Sequence, residues 1–266
     1  MKGTPNDPMQ HFLYRYLILS LLILPSRAFL GQHYCRSSVI ATIERKHPTS
    51  SCSRLFLDTS SQGWKNIADD LSMFPLFTIS TTQGNPVAYQ ISVGKEKTFD
   101  VPFFYCDVTE ALAELENAQN NPTEATKGET LKVIPFPLDQ AFDLWCKDKA
   151  VIIPSKAAIL EAGAPAGTNP IGQKVPMWAC LEISEEQEGG LPPKLPIFMA
   201  LDDANAAIIE AVEGDREKAD EFELVCLSLD GAIEQLVTVP EESPSFHFIP
   251  PSKSMKYIEE NSDEKS

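Results

Sequence analysis

Residues 101–116, VPFFYCDVTEALAELE, align without a gap on residues 195–210, LPIFMALDDANAAIIE. Three further blocks recur in the same order. KVIPFPLDQAFDLWC (132–146) matches ELVCLSLDGAIEQLV (223–237), and VIIPSKAAI (151–159) matches HFIPPSKSM (247–255) with one residue inserted. Upstream of the first block in each set, FPLF (74–77) matches VPMW (175–178). Four blocks in one order point to an internal duplication, and units of roughly 90 residues are far longer than a solenoid repeat.

Both units read alike. Each opens strands at x-Pro-apolar, where proline is tolerated at a strand's first residue. A helix follows. In the first unit Asp107 is placed to cap it and Glu110 to complete a capping box. Val108, Ala111, Leu112 and Leu115 then fall on one helical face, matched by Ala204, Ala207, Ile208, Ala211 and Val212. After a polar loop, a second strand runs into Leu-Asp-x-Ala, where Asp139 and Asp230 are suited to accept the first free amides of the next helix. That helix presents Ala141, Phe142, Trp145 and Cys146, or Ala232, Ile233, Leu236 and Val237. A last short strand ends at Ile153-Pro154 or Ile249-Pro250, before a helix starting near Ser155 or Ser252. The first unit alone carries the turn TTQGNP and a strand-like run VAYQISV; the second has the acidic loop EEQEGG. The predicted fold class is α/β: two pseudo-twofold-related repeats, each a small mixed sheet with three helices, packed into one body. The repeats span 63–162 and 175–260, joined by a Gly/Pro-rich linker at 163–174, with a disordered tail at 261–266.

Ahead of the repeats, YLILSLLIL (16–24) follows Lys2 and Arg15 and precedes Ser26 and Ala28. This apolar core is too short for a bilayer, which needs roughly 20 residues, and its flanks fit a signal peptide over 1–28. Residues 29–62 are rich in Ser, Thr and Arg and poor in acids, which predicts a disordered, transit-peptide-like segment. Phe29 at the junction resembles the two-part leader of nuclear-encoded proteins of algal complex plastids.

The chain holds 22 basic and 38 acidic residues, a net charge of −16. Residues 1–62 hold seven basic and three acidic, so the remainder has 15 basic and 35 acidic, a net of −20. Such a surface repels nucleic acid and anionic lipid. The cysteines beyond the leader, Cys106, Cys146, Cys180 and Cys226, form no C-x-x-C pair and read as structural, buried thiols. His247, the one histidine beyond the leader, alternates with Phe246 and Phe248 and is expected to be solvated. No phosphate loop, dinucleotide turn, zinc spacing or calcium loop is present. No catalytic, cofactor or metal residue is therefore assigned, although carboxylates between the halves leave an enzyme of unfamiliar type open. The candidate site is instead apolar: Phe103, Phe104, Phe142, Trp145, Trp178 and Phe198 form a candidate groove for extended segments of other proteins.

The Pro-opened strand, the VPFFYCDVTEALAELE and VIPFPLDQAFDL blocks and the FHFIPPSKSMKYI ending resemble the twenty-two-kilodalton component of the translocon at the inner chloroplast envelope (Tic) over about Ser72 to Glu260. The resemblance implies a two-repeat α/β protein without catalytic residues, loosely associated with membranes. It implies a place in the plastid envelope intermembrane space, chaperone-like binding of preproteins or transit peptides, and translocon subunits as partners. A structural scaffold for a membrane translocon subunit is the remaining alternative.

Overall fold

The computed structural model describes residues 42–43, 57–93, 97–123, 126–185, 193–238 and 246–262. The expected signal peptide and most of the transit-like segment, all but 42–43 and 57–62, lie outside these. Ten strands are described: β1 (Thr42–Ile43), β2 (Pro75–Thr81), β3 (Ala88–Val93), β4 (Lys97–Tyr105), β5 (Leu131–Pro137), β6 (Val151–Ile153), β7 (Pro176–Cys180), β8 (Leu195–Phe198), β9 (Leu224–Ser228) and β10 (Phe246–Ile249). The described helices are α1 (Gln62–Ser72), α2 (Val108–Asn120), α3 (Leu138–Cys146), α4 (Lys156–Glu161), α5 (Leu201–Ala211), α6 (Arg216–Ala219), α7 (Leu229–Thr238) and α8 (Ser252–Ser262). None of them is long and apolar enough to cross a membrane.

The duplication is visible in the strand path. In the first half the order is β6-β4-β2-β5, and in the second it is β10-β8-β7-β9. In both, the Pro-opened strand lies antiparallel to its two neighbours and the short last strand runs parallel to the second. The fold is thus a two-repeat α/β body with a mixed sheet in each half. The first sheet is wider because VAYQISV forms β3, which pairs antiparallel with β4; β1 adds to β3 in parallel.

Register corrects the alignment of the first block by one residue. Phe77 pairs with Tyr105, while its counterpart Trp178 pairs with Phe198. The Cys106 amide donates to the Ile153 carbonyl at 3.0 Å, and the Met199 amide to the Ile249 carbonyl at 3.1 Å. Position 106 therefore corresponds to 199, and Ala111 to Ala204, both wholly buried on their helices. The expected insertion at the end of the second unit is absent: Ile153 corresponds to Ile249, and Ser155, the N-cap of α4, to Pro251. The sequence match slipped because the prolines at 102 and 196 were superposed, whereas the sheet superposes the hydrogen bonds.

The helices bury most of what their spacing predicts, with Leu112 and Ala211 left exposed. One face of each sheet meets a shared core with α1, α3 and α7, built on Leu76, Phe104, Phe142, Met177, Ile197, Ile233 and Phe248. Full burial of each such side chain stabilises by about 1.5–3 kcal/mol. The opposite faces carry separate clusters, and here the halves exchange helices. Tyr257 and Ile258 of α8 pack on the first sheet's cluster, with Tyr257 edge-on to Phe77 at 6.0 Å. Reciprocally, Ala158 of α4 packs with Trp178, Phe198 and Ala204 in the second half.

Helix α1 is an unforeseen element. Ser61 caps it by accepting from the Trp64 amide at 3.1 Å, and Trp64, Ile67, Ala68 and Leu71 reach the shared core. Ahead of it Leu57 packs on that core, and the Thr59 hydroxyl donates to Asp143 at 2.6 Å. The ordered body thus begins before residue 63.

Candidate functional site

Four helices start around one cleft between the halves. The ends of β4, β6, β8 and β10 deliver the chain into α2, α4, α5 and α8, so paired positions from both repeats meet there: Cys106 and Met199, Asp107 and Ala200, Ser155 and Pro251. The open space measures about 620 Å³. Val175 and Pro176, at the start of β7, complete its wall.

The acids of this cleft have local partners. Asp107 is the N-cap of α2 and accepts from the Thr109 amide at 2.7 Å and its hydroxyl at 2.6 Å. Glu110 does not close a capping box on its own helix. It reaches the Lys156 amide at 3.2 Å, so the first turn of α2 holds the start of α4. The second half repeats this brace: Asp203 in the first turn of α5 accepts from the Ser252 amide at 2.9 Å and its hydroxyl at 2.7 Å. An acid at a helix N-terminus also meets the positive end of the helix dipole. Burial, reinforced by Asp202, pushes the Glu161 carboxyl up, and Lys253 offsets this in part. Burial drives the Cys106 thiol far above the ordinary thiol range, so it holds its proton and is a poor nucleophile.

Asp139 and Asp230 are not N-caps. Each helix begins one residue earlier, at Leu138 or Leu229, whose amide donates to the carbonyl of Phe74 or Val175 at 2.9 Å. The Asp is then the second helical residue. Burial raises the Asp139 carboxyl, against hydrogen bonds from backbone amides, and leaves its Oδ1 without a partner. Asp230 meets Lys174 at 3.2 Å.

The six aromatic candidates do not line one groove. Phe104 and Phe142 are in the shared core, with half-buried Trp145 stacked obliquely on Phe142 at 5.2 Å. Phe103 belongs to the first sheet's opposite face, and Trp178 and Phe198 to the second's. All but Trp145 are buried. Residue type alone does not separate a core aromatic from a groove aromatic. The exposed large apolar side chains sit elsewhere: Met73 after α1, Phe99 on β4, Leu112 on α2, Leu160 on α4, Ile209 on α5 and Met255 on α8. Spacing places Leu112 on one face with Val108, Ala111 and Leu115, yet its side chain is exposed.

His247 is exposed on β10 and meets Glu185 at 2.9 Å through Nδ1. Cys106 and Cys180 are buried, but Cys226 is exposed because it lies on a sheet edge. Among the described residues no group of three or more His, Cys, Asp or Glu side chains could hold a metal.

A two-repeat α/β body with this strand path and four helices starting at one cleft has relatives among solved proteins. Tic22 from Plasmodium falciparum is 17% identical, with a TM-score of 0.56 over 75% of this chain and 99% of that one. Anabaena Tic22, described as a protein-transport protein, is also 17% identical, with a TM-score of 0.56 over 74% of this chain and 96% of that one. The fold is Tic22-like. No protein-family model and no curated protein matches the sequence.

Proposed function

We propose that this protein is a non-enzymatic plastid protein-import factor, acting between envelope membranes as a chaperone-like binder of preproteins in transit. The observation that carries the reading is the shared fold, which spans nearly the whole of both Tic22 chains, one of them described as a protein-transport protein. The acidic excess supports basic clients such as transit peptides, since opposite charge accelerates encounter and selects partners. The exposed Leu112, Leu160, Ile209 and Met255 would supply apolar contact, with Trp145 as the accessible member of the aromatic set. Translocon subunits are further partners of this reading, and peripheral membrane association goes with them. The plastid-type leader supports delivery to a complex plastid. Of the four acids that line the cleft, Asp107 and Asp203 hold helix starts.

The test is suppression of aggregation. Full-length protein added to a chemically unfolded reporter is expected to keep it soluble near stoichiometric amounts without nucleotide, with an effect that weakens as salt rises. A folded, monodisperse protein that leaves aggregation unchanged would exclude the holdase role and turn attention to a dedicated membrane partner.

A further inference from the structure

The two halves end their sheets in equivalent edge strands of opposite character. In the first half the edge is β5 and in the second it is β9. Donation from Leu138 and Leu229 to the neighbouring strand's end fixes which residues of each edge face inward. Because a strand alternates, Leu131, Val133, Pro135 and Pro137 turn their backbone outward on β5, and Leu224, Cys226 and Ser228 do so on β9. Proline has no N–H, and edge prolines block pairing with another strand. The β5 edge is therefore sealed at Pro135 and Pro137. Their register equivalents on β9 are Cys226 and Ser228, which keep their donors. No backbone partner for these donors occurs among the described residues.

Charge separates the two edges further. Lys127, Glu129 and Lys132 give the β5 edge mixed charge with a basic excess, whereas exposed Asp220, Glu221 and Glu223 lead directly into β9, after Arg216 and Lys218. Between those acids and the edge, Cys226 is exposed and Leu224, Val225 and Leu227 are half-buried. The edge thus offers backbone donors and acceptors, modest apolar contact and an acidic approach.

We propose that the free edge of β9 docks an extended, basic segment of a preprotein by strand addition. Main-chain hydrogen bonds supply the affinity in this mode, and alternate side chains supply the preference. Lysines or arginines at the segment's ends would meet Asp220, Glu221 and Glu223. A second copy of this chain is disfavoured as occupant by the net charge of −16, which makes copies repel. The inference rests on the preprotein-binding reading and names its docking edge.

The test uses full-length protein and a short fluorescein-labelled peptide that alternates lysine with valine and threonine, beside a version with glutamate for lysine. The lysine peptide is expected to bind, the glutamate peptide not to, and amide exchange is expected to slow at 224–228 but not at 131–137. Cys226→Pro copies the sealed edge. It should weaken binding about tenfold, the equivalent of one or two backbone hydrogen bonds. If that variant does not fold, the exchange pattern of the unsubstituted protein decides alone. Binding without protection at 224–228 overturns the edge while the preprotein-binding reading stands. So does absence of binding by a protein that still suppresses aggregation. Neither binding nor suppression overturns both. Protection at 224–228 that grows with protein concentration in the absence of peptide overturns the peptide as occupant in favour of a second copy.

Discussion

The halves of this molecule share a chain path and differ at their margins. Where the path must be held, they use the same devices: a proline-opened central strand, a helix whose first-turn acid holds the start of another helix, and an Ile carbonyl tied to the following strand end. At the margins, the first half has extra strands at one edge and prolines at the other, while the second leaves β9 short, open and acidic. Duplicated halves retain the bonds that specify topology and diverge where partners would touch. The proposed docking edge lies in the half whose margin is left open.

The comparison can be broken most forcefully in the shared core. Phe104 and its counterpart Ile197 are both buried there. Phe104→Ala should cost about 4 kcal/mol and Ile197→Ala about 3, measured by denaturant unfolding as one cooperative transition in each case. Two separated transitions would mean that the halves are independent bodies. Next in size is Gly63, which has no counterpart in either repeat. A Cβ there would lie 2.0 Å from the Val237 carbonyl oxygen, so Gly63→Ala must push α1 away from α7. A loss of about 3 kcal/mol is expected, and an unchanged melting temperature would show that α1 does not bind the halves together.

The acid braces should give smaller and unequal effects. Asp203 makes two bonds to Ser252 where Glu110 makes one to the Lys156 amide plus a looser contact with the ammonium at 3.5 Å. Asp203→Ala is expected to cost about 1.5 kcal/mol and Glu110→Ala about 1, with equal losses arguing against the extra bond. The smallest test sets Asp139 against Asp230. Burial raises the Asp139 carboxyl. A carboxyl with a raised folded value contributes stability below its unfolded value of about 3.9 and loses it as pH rises through the folded value. At pH 7 the charged Asp139 therefore works against the fold. Asp139→Asn should be as stable or more so at neutral pH, with the difference vanishing in acid. Asp230→Asn gives up an exposed pair with Lys174 and should lose at most about 1 kcal/mol. Losses of equal sign at both positions would contradict the assignment.

Much of the fold was legible because it is written locally and twice. Pro75 and Pro176 do open strands, Asp107 and Ser155 do cap helices, and VAYQISV is a strand. The alignment slipped by one because side-chain likeness, prolines above all, was read in place of hydrogen-bond phase. Helix α1 had a legible stripe at Trp64, Ile67, Ala68 and Leu71 after Ser61, hidden by its position against the leader. The exchange of α4 and α8 left no local signal, since Ala158 and Tyr257 show what face they bury and not whose. The aromatic candidates failed for a related reason. Phe103 and Phe104 are neighbours in sequence, yet they face opposite sides of one strand and enter different clusters.

That exchange has a consequence for the order in which the chain is made. Emerging amino end first from a ribosome or a membrane pore, the first half is complete in sequence long before α8 exists to cover Phe77 and its neighbours. It must wait, part-exposed, for residues 252–262. A premature stop or a protease cut ahead of Ser252 would accordingly uncover the amino-terminal half as well as remove the Asp203 brace from the half it shortens.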